Sequence, residues 1–231
     1  MSIKHYSGDP APRLSREDIA KKAAHYLPQD STVNLGIGIP ALCANYLPKN
    51  TNIRYHAENG LLGYQELWPK GEGNPNIMDA GGNFPKAIAG MAFFDSVESF
   101  NMIRGGHIDI TVLGALQVSQ NGDISNWMIP SRGIGSIGGA MDLAENTPTV
   151  IVTMEHTTTN NEPKIVENCS YPLTSKSCVN LIVTDVAIIE VIYSDTGKIQ
   201  LLLKETAPGW TKNDVQKITA VELTSQHLPK A

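Results

Sequence analysis

Short apolar runs that end in glycine constrain this chain more than any other feature. Thr32-Val33-Asn34-Leu35 runs into Gly36-Ile37-Gly38, and Asn52-Ile53-Arg54-Tyr55 leads to His56-Ala57-Glu58-Asn59-Gly60-Leu61-Leu62-Gly63. Ile108 to Gly114, Thr149 to Met154 and Leu181 to Thr184 read as further buried strands. Helical spacing fills the intervals. Ser15 caps a helix with Asp18 in capping-box position and an apolar face of Ile19, Ala23, Tyr26 and Leu27. Pro40 suits the first turn of a helix over 41–47, Ser96 to Arg104 sets Val97, Phe100 and Ile103 on one face, and Thr211 to Asp214 caps a last helix. Strands alternating with helices predict an α/β fold with a mostly parallel sheet and flanking helices. Asn121-Gly122-Asp123 and Ser194-Asp195-Thr196-Gly197 each predict a hairpin.

The chain has 231 residues, enough for a sizeable core, and we expect one domain over 15–231 behind a disordered lead-in of 1–14 rich in proline and glycine. Its formal net charge of -5, with no basic block, argues against a nucleic-acid partner. No apolar run is long enough to span a bilayer. Three cysteines without CxxC spacing suit a reducing cytoplasm, and the six histidines show no metal-ligand spacing, so no metal site is expected. His107 and His156, beside strand ends, read as structural. No Gly-x-Ser-x-Gly nucleophile elbow follows a strand.

Glu58 is the one chemical group with a glycine-lined setting. A carboxylate at the C-terminal end of a strand, lifted onto an Asn-Gly turn, stands where an open α/β sheet presents its chemistry. Gly60 and Gly63 would let a large ligand approach it. Gly36-Ile37-Gly38 before a helix is either an anion cradle or a tight strand-to-helix turn; it lacks the third glycine of a dinucleotide fingerprint and the lysine of a P-loop. The cluster Gly133 to Gly139 before Ala140-Met141-Asp142 is either a source of unpaired N–H donors for an oxyanion or a turn needing positive φ.

These segments carry a resemblance. Val33 to Pro40, Glu58 to Gly63, Met102-Ile103-Arg104-Gly105-Gly106-His107-Ile108-Asp109, Asn126-Trp127-Met128-Ile129-Pro130, Gly138 to Leu143 and Val152-Thr153-Met154-Glu155-His156 stand in order. Together they resemble the beta subunit of a family I coenzyme A transferase of the succinyl-CoA:3-oxoacid type, from about Ser15 to the last helix. The resemblance implies a fold of the ribose-phosphate-isomerase and glucosamine-phosphate-isomerase kind. It implies a separate alpha subunit, in an α2β2 heterotetramer, with the active site between the chains. It further implies Glu58 as catalytic nucleophile, Asn34 as an active-site asparagine, and Gly138 and Gly139 as the loop facing the thioester oxygen. Gly36, Gly38, Asn59 and Gly60 are then the loops that coenzyme A approaches. CoA and acyl-CoA are substrates, and no cofactor is permanently bound.

The implied reaction is ping-pong transfer of CoA to a short-chain carboxylic or 3-oxo acid, as in ketone-body metabolism. A carboxylate can attack an activated thioester, and an ordinary glutamate, with a pKa of about 4.3, is ionised without a partner base. The chain departs from the family at Ala57, where a hydroxyl residue is common, at Gly82, where many relatives carry lysine, over 88–92, and at Ser136, where glycine is usual. Loss of that lysine would weaken contact with the CoA phosphates unless Lys70 or Lys86 substitutes. An acyl-CoA hydrolase and a non-catalytic family member are the alternatives on the same fold.

Overall fold

The computed structural model describes residues 5–47, 51–194 and 197–225. In chain order the elements are α1 (Arg16–Ala24), β1 (Thr32–Leu35), α2 (Ile39–Leu42) continued by a 3-10 turn, β2 (Arg54–Ala57), β3 (Leu61–Tyr64), β4 (Ala92–Phe93), α3 (Ser96–Arg104) and β5 (Ile110–Gly114). There follow β6 (Gln117–Ser119), β7 (Ile124–Ser125), α4 (Ala140–Asn146), β8 (Thr149–Thr153), β9 (Ile165–Val166), β10 (Val179–Val183), β11 (Ala187–Tyr193), β12 (Ile199–Thr206) and α5 (Lys212–Lys217). The fold class is the expected α/β, a mostly parallel sheet with flanking helices, finished at its edges by antiparallel pairs.

Local chemistry sets the helix starts. The Asp18 N–H donates to Ser15 Oγ at 3.1 Å, and the Ser15 N–H returns the bond to Asp18 Oδ2 at 3.2 Å. Asp95 accepts from the Glu98 N–H at the head of α3, and Thr211 and Asp214 form a reciprocal box at α5. Each such cap satisfies helix N–H groups that have no partner within the helix and contributes about 1 kcal/mol.

The chain divides into two compact units, each discontinuous in sequence. The first comprises Ala20–Gly114 and Gly138–Ile151. Its strands are ordered β8-β5-β1-β2-β3-β4. At its heart β1 pairs in parallel with β2 and β5, so that Asn34 stands in register with His56 on one side and Thr111 on the other. Val33, Tyr55, Ile110 and Val112 are fully or almost fully buried, as parallel strands covered on both faces require. A hairpin turn then reverses the chain from β2 into β3, a strand the sequence reading leaves inside its glycine-rich turn.

The second unit comprises the described parts of Met1–Ile19, Ala115–Ile137 and Val152–Ala231. β10, β11 and β12 form an antiparallel meander, and β7-β6-β9 a small separate sheet. The expected hairpin at Asn121-Gly122-Asp123 joins β6 to β7, with Gly122 at φ +75°. The hairpin at 194–197 joins β11 to β12; Asp195 and Thr196 lie outside the described residues.

Two expectations are corrected. Residues 5–14 are not a disordered lead-in: the Leu14 N–H donates to the Asp185 carbonyl at 2.8 Å, and Arg13, 2% exposed, is held by a set of buried partners. Residues 1–4 lie outside the described residues. On α3 the fully buried positions are Ser99 and Ile103, while Val97 is 69% exposed, because the helix turns a hydroxyl, not a valine, toward the sheet.

Candidate active site

Glu58 is the second residue of the turn Ala57-Glu58-Asn59-Gly60 that joins β2 to β3. The Gly60 N–H closes the turn onto the Ala57 carbonyl at 2.9 Å. Gly60 has φ +113°, and a Cβ there would lie 1.9 Å from the Phe94 carbonyl oxygen, so neither conformation nor space admits another residue. The Phe94 N–H in turn donates to the Gly60 carbonyl at 3.1 Å. Gly60 therefore packs its backbone closely against Phe94. Asn59 is exposed and donates from Nδ2 to the Met78 carbonyl at 2.7 Å, pinning the turn to the loop 77–83.

The half-buried Glu58 carboxylate lies across Gly138 and Gly139. A Cβ on Gly138 would stand 3.6 Å from Oε1, and one on Gly139 would stand 2.9 Å from Oε2 and 3.0 Å from Phe100 Cζ. Gly139 is the N-cap of α4, whose first N–H groups have no helical acceptor. Burial raises the Glu58 pKa above the ordinary carboxylate range. The Gly139 N–H pulls it partly back, and the negative charge of Asp142 pushes it up again. Asp142 is itself paired with Arg104 Nε at 2.6 Å. Among the described residues Glu58 has no ion-pair partner within the unit. A half-buried carboxylate with a raised pKa and no ion-pair partner in its unit is a setting in which a nucleophile can be found.

The other expected residues divide. The Gly36 N–H donates to the Val112 carbonyl at 2.9 Å, and a Cβ there would meet that oxygen at 3.0 Å, so Gly36 serves strand packing. Gly38 has φ +88° with open space around its α-carbon and caps α2. Asn34 is 1% exposed and faces not the surface but His56, its Nδ2 lying 3.0 Å from His56 Nδ1. Gly82, where lysine was the family expectation, takes φ +79° in a turn whose N–H bonds the Asp79 carbonyl. Lys86 is engaged with Glu66 and stands 5.2 Å from the Trp68 ring centroid.

Sequence reasoning passed over His56, Ser99 and Phe94. The available signal was a polar residue, His56, inside the buried strand β2 just before Glu58. Among the described residues no group of three or more His, Cys, Asp or Glu side chains is placed to hold a metal ion, and no helix is long and apolar enough to cross a membrane.

Comparison with known proteins bears on this geometry. Residues 16–217 match the family model described as coenzyme A transferase. The chain is 44% identical over 208 residues to the beta subunit of a probable coenzyme A transferase of Bacillus subtilis, covering 90% of this chain and 94% of that protein. It is 48% identical over 214 residues to the mitochondrial succinyl-CoA:3-ketoacid coenzyme A transferase 2A of Rattus norvegicus, covering 92% of this chain but only 40% of the longer rat protein. Among solved structures, an acyl-CoA transferase apoenzyme from Escherichia coli O157:H7 superposes with a TM-score of 0.68 at 16% identity, over 98% of this chain and 43% of that one, which is a likeness of fold. On the family match and on identities of this size, the chain belongs to the coenzyme A transferase family and is a transferase subunit of the beta kind.

Proposed function

We propose that this chain is the nucleophile-bearing subunit of an enzyme that moves CoA from succinyl-CoA to a short-chain carboxylic or 3-oxo acid. The observation that carries the reading is Glu58, a half-buried carboxylate on a glycine-closed turn, lying across Gly138 and Gly139 with no cation paired to it among the described residues of its unit. The name of the rat relative supplies the donor and the class of acceptor. None of the three cysteines is in a disulfide, which is in keeping with a cytoplasmic enzyme.

A Glu58 oxygen attacks the thioester carbonyl carbon of the donor. The C–S bond breaks, CoA leaves as thiolate, and a mixed anhydride joins the donor acyl group to Glu58. The thiolate then attacks Glu58 Cδ and expels the donor acid as its carboxylate, leaving a glutamyl-CoA thioester. The acceptor carboxylate attacks that thioester, releases the thiolate and forms a second anhydride. Attack of the thiolate on the acceptor acyl carbon yields the new acyl-CoA and returns Glu58 as carboxylate. Each tetrahedral intermediate carries an oxyanion, for which a backbone donor such as the Gly139 N–H is worth about 3–4 kcal/mol. Binding of the long CoA tail offsets the strain of the anhydride.

CoA enters as substrate, and this chemistry needs no resident cofactor. An alpha-type subunit in an α2β2 assembly completes the site. Ile37, Phe93 and Val97, each more than half exposed, are apolar side chains of the Glu58 unit that such a partner would cover. The test is to treat the co-expressed complex with acyl-CoA and then borohydride. Reduction of Glu58 to the alcohol, located by peptide mapping and absent from Glu58→Ala, is the expected result. An active preparation with Glu58 unmodified overturns the mechanism, and thioester loss without an acid acceptor makes the enzyme a hydrolase.

A further inference from the structure

Three polar side chains lie side by side where the parallel sheet should be apolar. Thr111, Asn34 and His56 occupy one register row across β5, β1 and β2, at 0%, 1% and 0% exposure. Buried polar groups in such a place are costly unless every one is bonded, and here they are. Thr111 Oγ1 donates to Asn34 Oδ1 at 3.4 Å. Asn34 Nδ2 lies 3.0 Å from His56 Nδ1 and 3.4 Å from the His56 carbonyl oxygen. A carbonyl oxygen only accepts, so the amide nitrogen is correctly turned toward His56, and Nδ1 is an acceptor. The ring proton then sits on Nε2, which donates to Ser99 Oγ of α3 at 3.0 Å. Desolvation lowers the His56 pKa to about 4, so the ring stays neutral at physiological pH.

The row touches both halves of the site. His56 is two residues before Glu58, and its ring stacks on Phe94 at 6.1 Å between centroids and 18° between planes. Phe94 is the residue that bonds and crowds Gly60 at the end of the Glu58 turn. Ser99 is followed by Phe100, whose Cζ lies against Gly139. One imidazole therefore connects the strand that carries the carboxylate to the helix that backs its donor.

We propose that Asn34, His56 and Ser99 are positioning residues for the transfer reaction: their fixed hydrogen-bond chain sets the spacing between the Glu58 carboxylate and the Gly139 N–H. The role rests on Glu58 being the nucleophile. None of the three touches substrate; Asn34 acts through His56, and His56 through β2 and α3. Misplacement of reacting groups by about 1 Å costs on the order of 100-fold in rate.

The test measures single-turnover loading of Glu58 from acyl-CoA, together with kcat, KM and thermal stability, on folded complexes with the alpha-type subunit. Ser99→Ala removes the acceptor with almost no change of shape. His56→Asn keeps an acceptor near Nδ1 but drops the link to Ser99, whereas His56→Gln keeps a donor near Nε2. The expected order of loading rate and kcat is wild type, then His56→Gln, then His56→Asn and Ser99→Ala, the last two reduced about 10-fold or more, with KM for acyl-CoA changed less than about twofold. Loading at the wild-type rate in Ser99→Ala and His56→Asn, with only thermal stability lowered, overturns the proposal and leaves the nucleophile in place. Turnover by wild type with Glu58 never modified overturns the nucleophile, and the proposal falls with it.

Discussion

Each unit buries charge, and the two handle it in opposite ways. In the unit that contains the N-terminal segment, Arg13 forms a bidentate pair with Asp9 at 2.8 and 3.0 Å, donates to Thr157 and Asn161, and lies 3.7 Å from Asp185. Tyr6 and Trp210 cover its guanidinium. Burial opposes the charge on Arg13, yet the two carboxylates outweigh it and raise its pKa; Asp9, opposed by burial in the same way, is nonetheless lowered by Arg13. His156, fully buried between Thr184 and Thr219, completes this closed set and is the structural histidine that its position suggested. In the other unit the half-buried Glu58 has a backbone N–H and a nearby like charge. The first arrangement sets a buried cation against two carboxylates and further acceptors, so it holds a fold together. The second leaves a carboxylate without an ion-pair partner among the described residues of its unit, and the neutral His56 two residues before it adds no charge to offset it.

The contrast breaks most sharply at Glu58 itself. Glu58→Gln is expected to lower transfer at least about 10³-fold with little loss of thermal stability, since the poorly solvated charge contributes little to folding; steady-state transfer assays and melting curves check both halves. Gly139→Ala comes next, with a loss of about 10²-fold in kcat, because its Cβ would sit 2.9 Å from Glu58 Oε2. Arg13→Met should show the reverse profile, costing about 3–5 kcal/mol in denaturant unfolding while kcat per folded complex is unchanged. A gentler comparison comes from pH. Attack needs the carboxylate, and the Glu58 pKa is raised, so activity fails on acidification at a higher pH than an ordinary glutamate would allow. Asp142→Asn removes a like charge and moves that acidic limb down, whereas Arg104→Gln leaves Asp142 unbalanced and moves it up; the pH profile of Glu58 loading reads both. The smallest effect is at Gly82→Lys, where φ +79° costs the variant about 1 kcal/mol and a contact with CoA phosphate would lower KM a few-fold. An unchanged KM removes position 82 from CoA recognition.

Much of this could be read from local chemistry in the sequence. Glu58 on its Asn-Gly turn, the caps at Ser15 and Thr211, the hairpin at Gly122 and the helix over 96–104 all depend on residues within a few positions of one another. What escaped depends on partners far apart in the chain. Arg13 sits in a segment whose prolines and glycines read as loose, and only Thr157, Asn161 and Asp185 make it fixed. Ser99 breaks the apolar stripe of α3 because His56 lies opposite, which helical periodicity does not register. The division into two units was likewise hidden, since the chain leaves the Glu58 unit after Gly114 and re-enters it at Gly138.

That excursion has a bearing on how the molecule is made. A nascent chain emerging from the ribosome carries Glu58 long before it carries Gly139, and until the later segment returns, the carboxylate lacks the Gly139 N–H that it meets in the complete unit. On the proposed mechanism the nucleophile meets its backbone donor only when the closing piece of its own unit is in place, so the order of the residues alone would guard an unfinished polypeptide against premature acylation.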